Sequence, residues 1–273
     1  MLLVLQLLLF LAYCLFSVKQ MKVLLSPAKA IDISKRINTK VCTEPAFIDE
    51  AQGLVNKLAK LSAKKIGSMM KLSKDLSDLN QERYQNWSSE SVLNHNNGHV
   101  IAIFNGEAYR GFDAETLSAK ELDVAQDKVR ILSGVYGLLK PLDVISPYRL
   151  EMGTSWAITP SKSNLYKFWS TKLADFINAE NGDKIIINVA SNEYFKAVDK
   201  KTLEGRVITP VFKDLKNGEY KTIMVYAKKA RGMMARYIVK NNISDPENIK
   251  SFNYGGYRYD ENLSVENEWV FTR

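Results

Sequence analysis

"RVITPVFKDLKNGEYKTIMVYAKKARGMMARYIVKNN", residues 206–242, holds strand, turn and helix signals in one run. Residues 206–213 are β-branched and apolar, as a strand requires. The Lys-Asn-Gly at 216–218 supplies the positive φ angles of a tight hairpin. A second apolar run, 220–227, reads as the returning strand, and 230–242 has helical periodicity. Two strands joined by a hairpin and followed by a helix do not fit a strict alternation of strand and helix. The stretch therefore points to an α+β, mixed α/β fold rather than a doubly wound sheet.

Working outward, further strands are expected at 22–26, 99–105, 184–190 and 268–273. Helices are expected at 46–61, from Ser62 and from Ser73 (each Ser an N-cap), and at 118–132 and 163–180. No repeat, low-complexity tract or linker divides residues 21–273, so one domain is expected, a mixed sheet surrounded by helices. Residues 1–20 stand apart. "MLLVLQLLLFLAYCLFSV" is at the lower limit for a membrane span. It is a poor secretory signal, because no basic residue precedes it and no small-x-small cleavage site follows. The expectation is an upstream start-site artefact with translation beginning at Met21, or else an anchor. A membrane is a partner only if residues 1–20 are genuine.

The chain has 273 residues, 46% of them hydrophobic, enough for a sizeable core, and a formal charge of +8 that favours anionic partners. Cys14 and Cys42 form no CxxC motif, so no disulfide partner is expected. His95 and His99 flank a turn-like Asn-Asn-Gly and lack the helical spacing of a zinc site. No metal or cofactor is expected.

Residues 225–242 carry Lys228, Lys229, Arg231, Arg236 and Lys240 beside an apolar face of Ala230, Met233, Met234, Tyr237 and Ile238. On a helical wheel Lys229, Arg236 and Lys240 fall within about 40°, a stripe about 16 Å long. Such a stripe can follow a phosphate backbone or be a solvated flank with snorkelling lysines. Gly232 costs a helix interior about 1 kcal/mol relative to Ala, which implies a close approach to its backbone. "VRILSGVYGLLKPLD" (129–143) sets Ser133, Gly134 and Gly137 between short apolar segments, with Lys140 beyond. It reads as a candidate helix-hairpin-helix, whose backbone N–H groups could meet a phosphate, or as a plain helix-to-helix turn. "LSAKKIGSMMKLSKDL" (61–76) is a second candidate for paired short helices, carrying Lys64, Lys65, Lys71 and Lys74.

"PYRLEMG" (147–153) would place Arg149 and Glu151 on one face of an extended segment. "NVASNEYFKAV" (188–198) leaves a buried strand into Glu193 and Lys196. With Lys29 of "SPAK" and Arg231, these supply candidate catalytic residues: Glu151 or Glu193 as general base, and Lys29, Arg149, Lys196 and Arg231 as cations for an anion. The same residues could equally form a structural ion-pair network. No nucleophile with an adjacent His, and no Gly-rich nucleotide loop, can be assembled.

"LLSPAK" (24–29), "ILSGVYGLLKPLD" (131–143), "PYRLEMG" (147–153), "LYKFW" (165–169), "NVASNEYFKAV" (188–198) and "YAKKARGMMARYI" (226–238) together resemble the YaaA family of bacterial peroxide-stress proteins, formerly a domain of unknown function. The resemblance covers residues 21–273. It implies a cytoplasmic protein that limits peroxide damage and available intracellular iron. It also implies a mixed α/β fold with a basic cleft, a helix-hairpin-helix element and binding of double-stranded DNA without sequence specificity, including distorted or bubble DNA. The alternative is an enzyme acting on a nucleic acid or nucleotide-like anion in that cleft.

Overall fold

A computed structural model of the chain describes residues 21–180, 182 and 184–273. The apolar run before Met21 lies outside the described residues. The first half holds β1 (Lys22–Leu25), β2 (Ala30–Ile31), α1 (Ile48–Leu58), α2 (Ala63–Met70), α3 (Lys74–Gln85), β3 (Gly98–His99), α4 (Val100–Ile103), β4 (Phe104–Asn105), α5 (Glu107–Phe112) and α6 (Ala119–Lys128). There follow β5 (Val129–Ser133), β6 (Gly137–Leu139), β7 (Val144–Ile145), α7 (Leu165–Trp169), α8 (Lys172–Glu180), β8 (Ile185–Asn188) and α9 (Asn192–Phe195). The last third holds β9 (Arg206–Lys216), β10 (Glu219–Lys221), α10 (Met224–Lys240), β11 (Arg258–Tyr259) and β12 (Glu268–Thr272).

The main sheet has the strand order β11-β12-β9-β8-β1-β5-β6, with β10 paired to the end of β9. β12, β9, β8, β1 and β5 are parallel, while β6, β10 and β11 are antiparallel additions. The fold is thus mixed α/β with a mostly parallel sheet. β1 and β5 are buried along their whole length, which suits strands covered on both faces, and β9 alternates between buried and half-buried positions. The chain runs from β1 to β5 on one side and then crosses β1 to reach β8 on the other. That reversal at β1 makes the carboxyl ends of β1, β5 and β8 a topological switch point, the place where open α/β sheets bind ligands.

Ser62 and Ser73 are N-caps, their hydroxyls accepting from the N–H groups of Lys65 and Leu76. Several expectations are corrected. Residues 100–103, expected to be strand, form α4 between the short strands β3 and β4. The returning strand after the 216–218 turn lasts only from Glu219 to Lys221, because Met224 already begins α10. The helix expected at 118–132 ends at Lys128, where the β-branched Val129 enters β5. That expected at 163–180 breaks at Ser170, whose φ is 47°.

The segment 129–143, a candidate helix-hairpin-helix, is a β-hairpin: β5 and β6 pair with Ser133 opposite Gly137. Its glycines serve packing. A Cβ at Gly134 would stand 2.2 Å from the Leu150 carbonyl oxygen, and one at Gly137 would lie 2.6 Å from the Trp169 ring. The segment 61–76 does form paired helices, α2 and α3, with Lys71 in the left-handed region at the end of the first.

The candidate site at the carboxyl edge of the sheet

Each strand of the switch point hands over to a loop carrying polar residues. After β1, the Ser26 hydroxyl accepts from the Ser191 N–H at 2.8 Å and lies 3.3 Å from the Ser191 hydroxyl, tying the loop after β8 to the loop after β1. Tyr109 of α5 donates to the Ser26 carbonyl at 3.0 Å. Burial pushes the phenols of Tyr109, Tyr148 and Tyr194 well up, so they stay protonated. From β5, the Ser133 hydroxyl lies 2.6 Å from that of Tyr148 and accepts from the Tyr136 N–H.

Leu150 is buried with its carbonyl against Gly134, which turns its neighbours Arg149 and Glu151 to the same side. Glu151 there bridges two cations. Lys29 Nζ lies 2.6 Å from one carboxylate oxygen and Arg149 Nη2 lies 3.3 Å from the other. Tyr84 donates to the Arg149 carbonyl. Among the described residues, the buried Arg149 Nε has no hydrogen-bond partner. Arg83 on α3 is held below its usual pKa mainly by burial and also by repulsion from Arg149. Glu193, the second residue of α9, accepts from the Gly153 N–H at 2.9 Å, and its carbonyl accepts from Tyr166 at 3.1 Å. The structure therefore brings Lys29, Arg149 and Glu151 together and ties Glu193 to the same loop. Lys196 makes no ion pair with these carboxylates among the described residues, and its ammonium lies 5.2 Å from the centre of the Tyr166 ring.

Helix α10 divides its basic residues in two. In its second half, Arg236 donates to the carbonyls of Phe112 and Asp113 and to the Thr116 hydroxyl, closing the end of α5. Lys240 pairs with Glu121 at 3.3 Å. In its first half, Lys228 and Lys229 are exposed and Arg231 is half-buried. Among the described residues none of these three has a side-chain hydrogen bond or ion pair, and burial alone lowers the Arg231 pKa. Gly232 is where the backbones of α10 and α5 meet: a Cβ would stand 1.7 Å from the Ala108 carbonyl oxygen, and one at Gly111 2.1 Å from that of Lys229.

Ser133, Gly134 and Gly137 are buried within the β-hairpin. Lys140 lies at the opposite edge of the sheet, paired with Glu180 at 2.8 Å in a network with Arg130, and with Lys22 and Asp127 alongside. His99 is buried, one ring nitrogen 2.8 Å from the Val41 carbonyl. Ser26, Arg83, Tyr109 and Tyr166 were not among the sequence candidates. Ser26 had a signal, its place in "SPAK" at a strand end, whereas Arg83 sits on a polar helix with nothing local to distinguish it.

Chemically the edge offers cations in excess of carboxylates and no nucleophile–base pair. Among the described residues there is no group of three His, Cys, Asp or Glu side chains that could hold a metal, and no helix long and apolar enough to cross a membrane.

A family model described as peroxide stress protein YaaA matches residues 21–263. UPF0246 protein Shewana3_3143 of Shewanella sp. (strain ANA-3) is 48% identical over 256 residues, covering 93% of this chain and 99% of the relative. A UPF0246 protein of Shewanella oneidensis is also 48% identical, covering 93% and 99%, and one of Colwellia psychrerythraea is 45% identical with the same coverage. A match of this extent, spanning every element from β1 to β11, establishes that the chain belongs to the YaaA family of peroxide stress proteins.

Proposed function

We propose that this protein serves the peroxide-stress role of its family in the cytoplasm by binding double-stranded DNA without sequence specificity, shielding it from oxidative damage while helping to limit intracellular iron. The observation that supports this most is the division of α10. Its distal cations are consumed by contacts within the protein, whereas Lys228, Lys229 and Arg231, in the half that starts from the carboxyl edge of the sheet, keep their charge for an outside partner. Lysine and arginine that neutralise duplex phosphates release condensed counterions, which gives affinity without reading sequence. The test is the affinity of the protein for two duplexes of unrelated sequence, a single strand and a bubble, over a range of salt. Equal binding to the two duplexes, weakening linearly in log–log form as salt rises, is the expected result. Binding that is absent, or independent of salt, rejects the reading.

The convergence of Lys29, Arg149 and Glu151 favours a second reading, an enzyme acting on a nucleic acid or nucleotide-like anion. It requires product formation from labelled DNA or nucleotides that Glu151→Gln or Glu193→Gln abolishes without lowering the melting temperature.

A further inference from the structure

A separate pocket of about 410 Å³ opens beside the carboxyl edge, lined by Ser161, Lys162, Tyr166, Lys167, Ser170, Lys196 and others. Three separate segments present its lysines. Lys162 closes a turn in which its N–H donates to both the carbonyl and the hydroxyl of Thr159. Lys167 stands on α7, whose start is capped by the Asn164 side chain. Lys196 ends α9 with its ammonium over the Tyr166 ring. Among the described residues none of the three lysines has a carboxylate partner. The one acidic residue of the lining, Asp199, accepts from the Thr202 hydroxyl at 2.7 Å and the Lys201 N–H at 3.3 Å, and its single charge offsets only one of the three.

We infer that this pocket binds a small, multiply charged phosphate-bearing anion. Three lysines lining one cavity, with two serine hydroxyls as further donors, raise the positive potential inside it. A duplex backbone instead calls for charges spaced along a line. The volume lies in the range of small-molecule sites, and a ligand with several negative charges is the one that three ammoniums opposed by a single carboxylate favour most. The wall is also linked to the polar edge, because Tyr166 donates to the Glu193 carbonyl while the Glu193 carboxylate holds Gly153.

The test uses the full chain with pyrophosphate as probe, followed by calorimetry. Wild type should bind it saturably with one site per chain. Lys162→Gln/Lys196→Gln should weaken binding by about tenfold or more, while Lys57→Gln/Lys60→Gln, which removes the same charge from the last turn of α1 and the turn after it, should leave it unchanged. No saturable binding by wild type, or equal loss in both variants, overturns the proposal. So does displacement of pyrophosphate by duplex DNA together with an equal loss of duplex affinity in Lys162→Gln/Lys196→Gln, which would make the pocket a backbone contact. Duplex binding by wild type, measured alongside, separates failure here from failure of the DNA reading.

Discussion

Arg236 closes the end of α5 with one guanidinium, two donations going to backbone carbonyls and one to the Thr116 hydroxyl. Arg236→Gln should therefore destabilise the protein by about 1–3 kcal/mol in urea denaturation, the range for losing charged hydrogen bonds. Lys229→Gln, on the same wheel flank but exposed and unpaired, should change stability by less than about 0.5 kcal/mol. Equal effects would contradict the division of α10. Asp143 tests the opposite edge of the sheet. Burial lifts its carboxyl from an ordinary value of 3.8 to about 6, although Thr43 and the Lys140 N–H both donate to it. Between about pH 4 and 6 the folded protein thus keeps a proton that the unfolded chain has released. Stability from this group is complete below that window and is lost as pH rises through it. Asp143→Asn has no proton to lose. The variant's stability relative to the parent should therefore rise between pH 4 and 6, by up to about 3 kcal/mol, measured by urea denaturation at each pH.

At the scale of elements, the contact between α5 and α10 depends on Gly111 and Gly232, where any side chain would meet backbone. Gly232→Ala should destabilise by about 1–3 kcal/mol or more through overpacking, against the roughly 1 kcal/mol that Ala gains in helix propensity. Gly53 in α1 has nothing within 4 Å of an added Cβ, so Gly53→Ala should stabilise by about 0.5–1 kcal/mol. Denaturation of the two variants should move in opposite directions. The cost of Gly232 in a helix interior was legible in the sequence, as was the implied close approach, though not the identity of its neighbour. Strands β1 and β8 were legible too, as short uninterrupted apolar runs. Residues 129–139 were not. A strand pair filled with Ile, Leu and glycine looks locally like two short helices around a turn, and only the pairing of β5 with β1 decides. The same holds for 99–105, where one short apolar run is shared by strand, helix and strand.

Over the whole molecule, the formal charge of +8 is not spread evenly. The amino edge of the sheet balances Lys22, Arg130 and Lys140 against Asp123, Asp127 and Glu180. Around the carboxyl edge Glu151 is shared by two cations, and among the described residues Lys228, Lys229 and Arg231 pair with no carboxylate. Part of this site was legible, because Lys29, Arg149 and Glu151 lie in short motifs at strand ends. The pairing of Arg236 and Lys240 was hidden, since a wheel shows which residues share a flank and not which partners the rest of the chain brings to it. The most direct measurement is the salt dependence of duplex binding for Lys228→Gln/Lys229→Gln/Arg231→Gln beside Arg236→Gln/Lys240→Gln. The slope of log affinity against log salt should fall by roughly 0.9 for each lost phosphate contact, or between about 2 and 3 in the triple variant, by the same factor for unrelated sequences. The double variant should keep the parental slope. A triple variant with an unaltered slope would contradict the account.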